Sequence, residues 1–289
     1  MLIIVGLFLL GLSLGSFVNA LVWRVHQQGK ALSVKRKGKE ISSPKPLTLN
    51  PSRYSILDGR SQCVHCGHQL SIGDLVPVFS WILLRSKCRY CNKPISIQYP
   101  LVELLAATVF VTSYIFWPAS FSNGQWLLFV TWLTCSVGLL ALAVYDLKWM
   151  FLPNRILYPT FFIALVGQLG YILFFANNKA HSSWLLALSL LVASGLFFVI
   201  YLVSSGQWIG FGDVRLGLVT GTLLATPAKS FVMIFLASLL GTLFALPALA
   251  SGRRKMASKL PFGPFLITST GLVILFGQPL LDWYERLLT

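Results

Sequence analysis

Residues 126–145 read WLLFVTWLTCSVGLLALAVY, and this stretch decides the fold because none of its 20 residues carries a charge. A helix of about 20 apolar residues crosses the hydrocarbon core of a bilayer, which is ~30 Å thick. Only 11% of the 289 residues are charged, whereas about 25% is usual for a soluble domain. The composition therefore excludes a soluble globular protein and predicts a polytopic membrane protein.

Similar apolar runs fill most of the chain and predict an all-α fold with about eight transmembrane helices. The run at 213–227 is shorter than a bilayer requires, and Thr226-Pro227 interrupts it, so this helix could be tilted. Residues 1–22 lack a basic n-region and a small-residue cleavage site, so we expect a retained helix rather than a signal peptide. The runs are residues 1–22, 100–117, 126–145, 156–175, 184–204, 213–227, 229–250 and 261–280.

The net charge of +15 is concentrated between the first two runs. Residues 23–99 hold 13 of the 23 Lys and Arg residues and only three acids, which gives this loop a charge of +10. Because loops rich in Lys and Arg remain in the cytoplasm, we predict that this loop is cytoplasmic and that both termini lie outside. Its charge also attracts anionic lipid. A dedicated nucleic-acid surface is the alternative, and we expect no nucleic-acid partner.

This pattern predicts three parts: a first transmembrane helix at 1–22, a basic cytoplasmic loop at 23–99 and a seven-helix membrane core at 100–289. Within the loop, residues 27–62 are rich in Lys, Ser, Pro and Gly with little apolar periodicity. Such composition favours an extended or partly ordered connector.

Four cysteines of the basic loop form two C-x-x-C pairs separated by 21 residues: Cys63, Cys66, Cys88 and Cys91. Each pair places two thiolates on one tight turn, and two such turns complete the tetrahedral sulfur shell that Zn²⁺ prefers. Disulfides are the alternative, but the predicted cytoplasmic location is reducing. We therefore predict a structural zinc site, with His65 and His68 beside it but not among its ligands.

Two aspartates mark the membrane boundary. Asp146 ends the run quoted above, and Asp213 opens a later run after Gly210 and Gly212. The predicted topology places both at the cytoplasmic face, where two adjoining carboxyl groups could share a proton and activate water against a peptide carbonyl. The two glycines permit a turn and close approach of a substrate strand. The pattern thus suggests an aspartic peptidase.

Each aspartate also has a purely structural interpretation. Asp146 could be a helix-end residue paired with Lys148 or Arg155, and Asp213 could be an N-cap residue favoured by the helix dipole. A lone G-x-G-D tetrapeptide does not distinguish these interpretations from a catalytic role.

The chain resembles the type IV prepilin peptidases over most of its length. The resemblance rests on six features in order: Leu14–Asn19 (LGSFVN), the two C-x-x-C pairs, Tyr99–Leu105 (YPLVELL), Asp146 with Pro153, Gly210–Asp213 (GFGD) and Pro261–Phe265 (PFGPF). Three positions depart from the family pattern. Asn154 stands where Asp is frequent, Arg215 where Lys is common and Gln98 where Arg is frequent.

The resemblance implies an inner-membrane endopeptidase that removes a short basic leader from prepilins or pseudopilins, after a glycine and just before an apolar helix. It implies Asp146 and Asp213 as the catalytic pair. It also implies methylation of the new N-terminal amine with S-adenosylmethionine, because members with the cysteine loop are typically bifunctional. Glu103 is a candidate to assist methyl transfer or to position the amine, and pairing with a basic loop residue is the alternative.

Two other classes of function compete with the peptidase. A transporter or channel could use the membrane aspartates to carry protons or ions, with a regulatory zinc loop. A non-enzymatic assembly scaffold could use the zinc loop to dock a cytoplasmic partner. The first predicts transport without protein cleavage, and the second predicts that Asp213→Asn leaves function intact.

Overall fold

The computed structural model describes residues 1–36, 61–250 and 260–288, and helices provide nearly all of the regular structure in these ranges. The chain divides into two compact units, Met1–Val111 and Thr112–Thr289. The predicted all-α membrane fold is confirmed.

The first unit contains helix α1 (Leu2–Arg36), a 3₁₀ helix (Ile72–Leu75), the short helix α2 (Phe79–Leu83) and the start of α3 (Gln98–Ile115). Helices α1 and α3 pack closely because Gly11 and Gly15 carry no side chain. A Cβ atom on Gly11 would lie 2.5 Å from the Cα of Ala107, and one on Gly15 would lie 2.5 Å from the Cα of Glu103. Such small-xxx-small spacing is typical of helix pairs in membranes.

The second unit is a helical bundle. Helix α4 packs against α5 and α10, and α8 packs against α5 and α10. Glycines again allow close approach, since a Cβ on Gly138 would lie 2.1 Å from the hydroxyl of Thr160 and one on Gly167 would lie 2.2 Å from that of Thr131. Its helices are α4 (Asn123–Trp149), α5 (Asn154–Phe174), α6 (Lys179–Leu190), α7 (Leu196–Val203), α8 (Phe211–Leu224), α9 (Pro227–Ala250) and α10 (Gly263–Leu288).

A π-helical turn, Leu191–Gly195, joins α6 to α7 and anchors α8. The hydroxyl of Ser194 donates to the carbonyl of Val214 at 2.9 Å, and the hydroxyl of Ser189 donates to that of Gly221 at 2.8 Å. Gly217 faces the same turn, where a Cβ would lie 2.3 Å from the carbonyl oxygen of Ala193. π-helical turns are rare and often accompany functional sites. These contacts fix the position of α8, which carries Asp213 in its first turn.

Six helices of the described ranges are long and apolar enough to span a membrane, and α6 to α7 counts as one of them. Two predicted runs correspond to α3 and α8, which have 18 and 14 residues and are not among the six. The count of eight therefore remains a prediction. Helix α1 continues to Arg36, past the apolar run that ends at residue 22, so residues 27–36 of the predicted connector are helical. Most of the remaining connector lies outside the described residues.

Candidate functional site

Asp146 lies in the last turn of α4, where its side chain is buried with 6% of its surface exposed. The helix ends four residues later at Met150, which adopts the left-handed conformation and donates its N–H to the carbonyl of Asp146 at 2.8 Å. The carboxylate accepts a hydrogen bond from the backbone N–H of Gly263 at 3.2 Å. The start of α10 therefore holds the carboxylate of Asp146, and neither Lys148 nor Arg155 is needed to explain its position.

Asp213 lies in the first turn of α8 and is half-buried. Gly210 is the residue before the helix, and its carbonyl accepts the N–H of Asp213 at 3.0 Å. Gly212 faces Leu152 in the α4–α5 connection, where a Cβ would lie 3.3 Å from the leucine side chain. Gly212 thus lets the start of α8 approach the segment that directly follows Asp146.

The two carboxyl groups are close enough to interact electrostatically. The side chains of Asp146 and Asp213 come from the C-terminal end of α4 and the N-terminal end of α8, which the fold brings together at one end of the second unit. Two adjacent carboxyl groups in a site largely shielded from water tend to share one proton, which gives one acid and one base. This arrangement is suited to activating a water molecule.

Asn154 and Arg215, two of the positions that depart from the family pattern, contact each other near the aspartates. The guanidinium of Arg215 donates a hydrogen bond to the side-chain oxygen of Asn154, the first residue of α5. The same guanidinium lies 4.8 Å above the ring of Phe211 and donates to the Phe211 carbonyl at 3.3 Å. This bridge links the start of α5 to the start of α8, two residues from Asp213.

The predicted metal ligands form a single cluster in the first unit. The sulfur atoms of Cys63, Cys66, Cys88 and Cys91 all lie within 4.8 Å of one another, and those of Cys63 and Cys91 are 3.9 Å apart. Four sulfurs at the usual Zn–S distance of about 2.3 Å in a tetrahedron are about 3.8 Å apart. The donor set and its spacing therefore fit Zn²⁺.

The two cysteine turns have matching backbones, which explains why the sulfurs converge. Each turn closes with an N–H to carbonyl bond of 2.9 Å, from Gly67 to Cys63 and from Asn92 to Cys88. Gly67 and Asn92 both adopt positive φ, at 71° and 54°, which glycine and asparagine tolerate best. An antiparallel β-bridge flanks each turn.

Asp74 connects the inserted 3₁₀ helix to the second cysteine turn. Its carboxylate pairs with Arg89 at 2.9 Å and accepts hydrogen bonds from the hydroxyls of Ser71 at 2.8 Å and Tyr90 at 3.3 Å. Burial by itself raises the pKa of Asp74, but the hydrogen bonds from Ser71, the charge of Arg89 and the Tyr90 hydroxyl together hold that pKa below its usual range. The ring of Tyr90 also packs against that of His68 in a tilted arrangement, with centroids 3.7 Å apart.

Glu103 is buried in α3 and reaches a strained residue. Its carboxylate accepts the N–H of Val78 at 2.7 Å and a hydrogen bond from Ser16. Val78 has a φ of 62°, which is unfavourable for a β-branched residue. Within the described residues, the partners of Glu103 are thus an N–H and a hydroxyl rather than a basic side chain.

The family motif segments of the first unit also meet. The amide of Asn19 donates to the carbonyl of Tyr99 at 3.1 Å, and the amide of Gln98 donates to Asn19 at 3.3 Å. Gln98, the third departure from the family pattern, therefore supports the pairing of α1 with α3.

Sequence reasoning did not assign a role to Gly263 or link Asn154 to Arg215. The motif Pro261–Phe265 contains Gly263 and was the available signal. Gly263 contributes a backbone N–H, however, and a backbone group cannot be identified from the residue type. A Cβ on Gly263 would lie 2.7 Å from the carboxylate of Asp146, and this explains why glycine stands there.

Paired carboxyl groups that share a proton are what an aspartic peptidase requires, and here they lie at one end of a helical bundle. Two family models match the chain: the bacterial peptidase A24 N-terminal domain at residues 9–117 and the type IV leader peptidase family at residues 133–246. The chain belongs to the type IV leader peptidase family.

Curated relatives are similar over most of their length. A prepilin leader peptidase/N-methyltransferase of Burkholderia pseudomallei is 31% identical over 271 residues, covering 93% of this chain and 84% of the relative. Proteins of the same name from Aeromonas salmonicida and Dichelobacter nodosus are 29% and 30% identical, covering 92% and 91% of the relatives. No significant match to a solved structure was found.

Proposed function

We propose that this chain is a bifunctional enzyme of the bacterial inner membrane that removes the leader from prepilins or pseudopilins and methylates the exposed N-terminal amine. The main support is the pair of carboxyl groups. Asp146 and Asp213 are far apart in sequence, but the bundle brings the end of α4 and the start of α8 together, where Gly212 packs against Leu152. The names of the relatives agree with this chemistry.

In cleavage, one carboxyl group of the pair retains its proton and the other accepts a proton from the attacking water. The protonated group polarises the scissile carbonyl, and the proton then passes to the leaving amine. The N–H of Gly263 fixes the Asp146 carboxylate, and the bridge between Asn154 and Arg215 fixes the start of the helix that carries Asp213. Gly210 and Gly212 leave room for an extended substrate segment.

The substrate presents its leader junction at the end of the bundle that carries the aspartates. We place this end at the cytoplasmic face, with both termini outside, because the basic segments belong to that side. The loop at 23–99 has a charge of +10 and would repel a basic leader, so packing of the substrate's apolar helix against the bundle dominates recognition. Residues 100–289 would form the peptidase core.

The four cysteines would hold a structural Zn²⁺, which supplies folding energy to a cysteine module with few apolar side chains of its own. Glu103 would position the loop of Val78 beside α3, close to the motif residues of the first unit. S-adenosylmethionine would supply the methyl group, but the described residues do not identify its site and we assign none to it.

The test is cleavage of a purified prepilin by the full chain in liposomes, followed by mass spectrometry. We expect Asp146→Asn and Asp213→Asn each to reduce the cleavage rate by at least about 10²-fold, the lower range for acid–base groups. Glu285→Gln, at an exposed acid near the end of α10, is the matched control and retains the wild-type rate.

Methylation of a peptide that already lacks its leader tests whether the aspartate variants are folded, because that reaction does not require the pair. If either aspartate variant cleaves prepilin at the wild-type rate, the catalytic assignment is wrong. Retained methylation with lost cleavage would support it.

A further inference from the structure

A second site lies within the second unit, in a cavity of about 370 Å³. This volume is within the range of ~300–1,000 Å³ that is typical of small-ligand pockets. Its polar lining includes Lys229, Thr226, Gln168, Gln125 and Gln278, and no carboxylate of the described residues lines it. Thr131 and Ser182 also line it, and the other walls are apolar or aromatic.

The cavity lies at the end of the bundle opposite the aspartate pair. Gln125 is in the first turn of α4, whereas Asp146 is in its last turn. In the same way, Gln278 lies well along α10 from Gly263, where that helix begins. The cavity is therefore separate from the aspartate pair and lies towards the other end of the bundle.

One buried polar group of the cavity has no partner within the described ranges. The hydroxyl of Thr226 is fully buried and has no hydrogen-bond partner. Gln168, which is 8% exposed, lines the same cavity. Buried polar groups in native proteins are nearly always bonded, so the unpaired hydroxyl of Thr226 indicates a polar ligand.

The charge of the cavity indicates the sign of that ligand. Lys229 lies in the first turn of α9, whose backbone N–H groups start at Ala228 because Pro227 has none, and helix N-termini favour anions. Asp282, which does not line the cavity, interacts electrostatically with Lys229 and accepts a hydrogen bond from Gln278 at 2.9 Å. A cation, a helix N-terminus and two neutral donors are suited to a phosphate group.

We propose that this cavity binds the phosphate of a phospholipid headgroup, with Lys229 as the cation and Thr226 and Gln168 as hydrogen-bond donors. The lipid source is favoured over free phosphate because apolar residues such as Leu128 and Ile274 line the same cavity. Trp117 also lines it, and tryptophan is enriched where helices meet the headgroup layer.

The test is native mass spectrometry of the detergent-purified full chain titrated with phosphatidylglycerol. We expect Lys229→Gln to weaken lipid binding by at least about tenfold, as for the loss of one charge-assisted hydrogen bond. Lys179→Gln is the matched control, since Lys179 is exposed at the start of α6 at the same end of the bundle. It should bind as the wild type does.

Thr226→Val removes the hydroxyl without changing the charge or the size, and it should also weaken binding if the site is as proposed. This variant keeps the test decisive if Lys229→Gln does not fold. Equal binding by wild type, Lys229→Gln and Thr226→Val would overturn the proposal. Displacement of the lipid by millimolar inorganic phosphate would instead assign the site to free phosphate and overturn the lipid source.

Discussion

Gly263→Ala tests how the start of α10 contributes to cleavage. A Cβ at this position would lie 2.7 Å from Oδ2 of Asp146, so the carboxylate must retreat by about 0.7 Å to reach an ordinary contact of 3.4 Å. The same movement stretches its 3.2 Å hydrogen bond from the Gly263 N–H beyond the usual range of ~2.7–3.2 Å. The substitution therefore displaces one carboxyl group of the pair without removing it.

A displacement of about 1 Å at a reacting group can cost about 10²-fold in rate. For a shift of about 0.7 Å we expect kcat for prepilin cleavage to fall by roughly 10- to 100-fold. Gly263 does not have positive φ, so alanine introduces no backbone strain and Tm should change little. The assay is leader removal at saturating prepilin, with Tm measured on the same preparation.

Gly271→Ala is the matched control because it lies on the same helix. A Cβ there would meet Trp132 at 3.5 Å, which is an ordinary contact, so cleavage should stay within about threefold of wild type. If Gly263→Ala cleaves as fast as Gly271→Ala, the proposed role of α10 in holding Asp146 is wrong. If both lose activity equally, the loss reports on the helix and not on the carboxylate.

Two further predictions concern the bridge between α5 and α8 and the cysteine cluster. Arg215→Ala and Asn154→Ala should each lower the cleavage rate by about tenfold. The double variant should be no slower than the more damaging single variant, since both substitutions remove the same hydrogen bond. Additive losses in this double-mutant cycle would contradict the bridge. Cys88→Ser should abolish zinc binding, which is measured as metal content per chain. Cys135→Ser changes a buried cysteine outside the cluster and should leave the zinc content unchanged. Equal zinc content in both variants would refute the site.

The sequence predicted the helical membrane fold because uncharged runs of bilayer length leave few alternatives. It did not reveal that α1 continues to Arg36. The apolar run ends at residue 22, but helix-forming residues continue beyond it. It also missed the π turn at Leu191–Gly195. That turn changes the register of a helix within a uniformly apolar stretch, so hydropathy carries no trace of it.

The same contrast holds for the site. Asp146, Asp213 and the four cysteines could be identified because their chemistry depends on side chains that are rare in a membrane protein. The contribution of Gly263 could not, because it is a backbone N–H, and the contact between Asn154 and Arg215 joins positions 61 residues apart. Pairings of this kind depend on how α5 and α8 pack, which no local pattern encodes.

The hydrogen bond between Asp146 and Gly263 joins residues that are 117 positions apart, and this has a consequence for biogenesis. While the ribosome is still synthesising the middle of the chain, α4 has already entered the bilayer without the N–H that holds its carboxylate. The arrangement becomes complete only when α10, the last of these helices, is inserted. Protease activity would then require the insertion of α10, and chains inserted only as far as α9 would not cleave neighbouring membrane proteins.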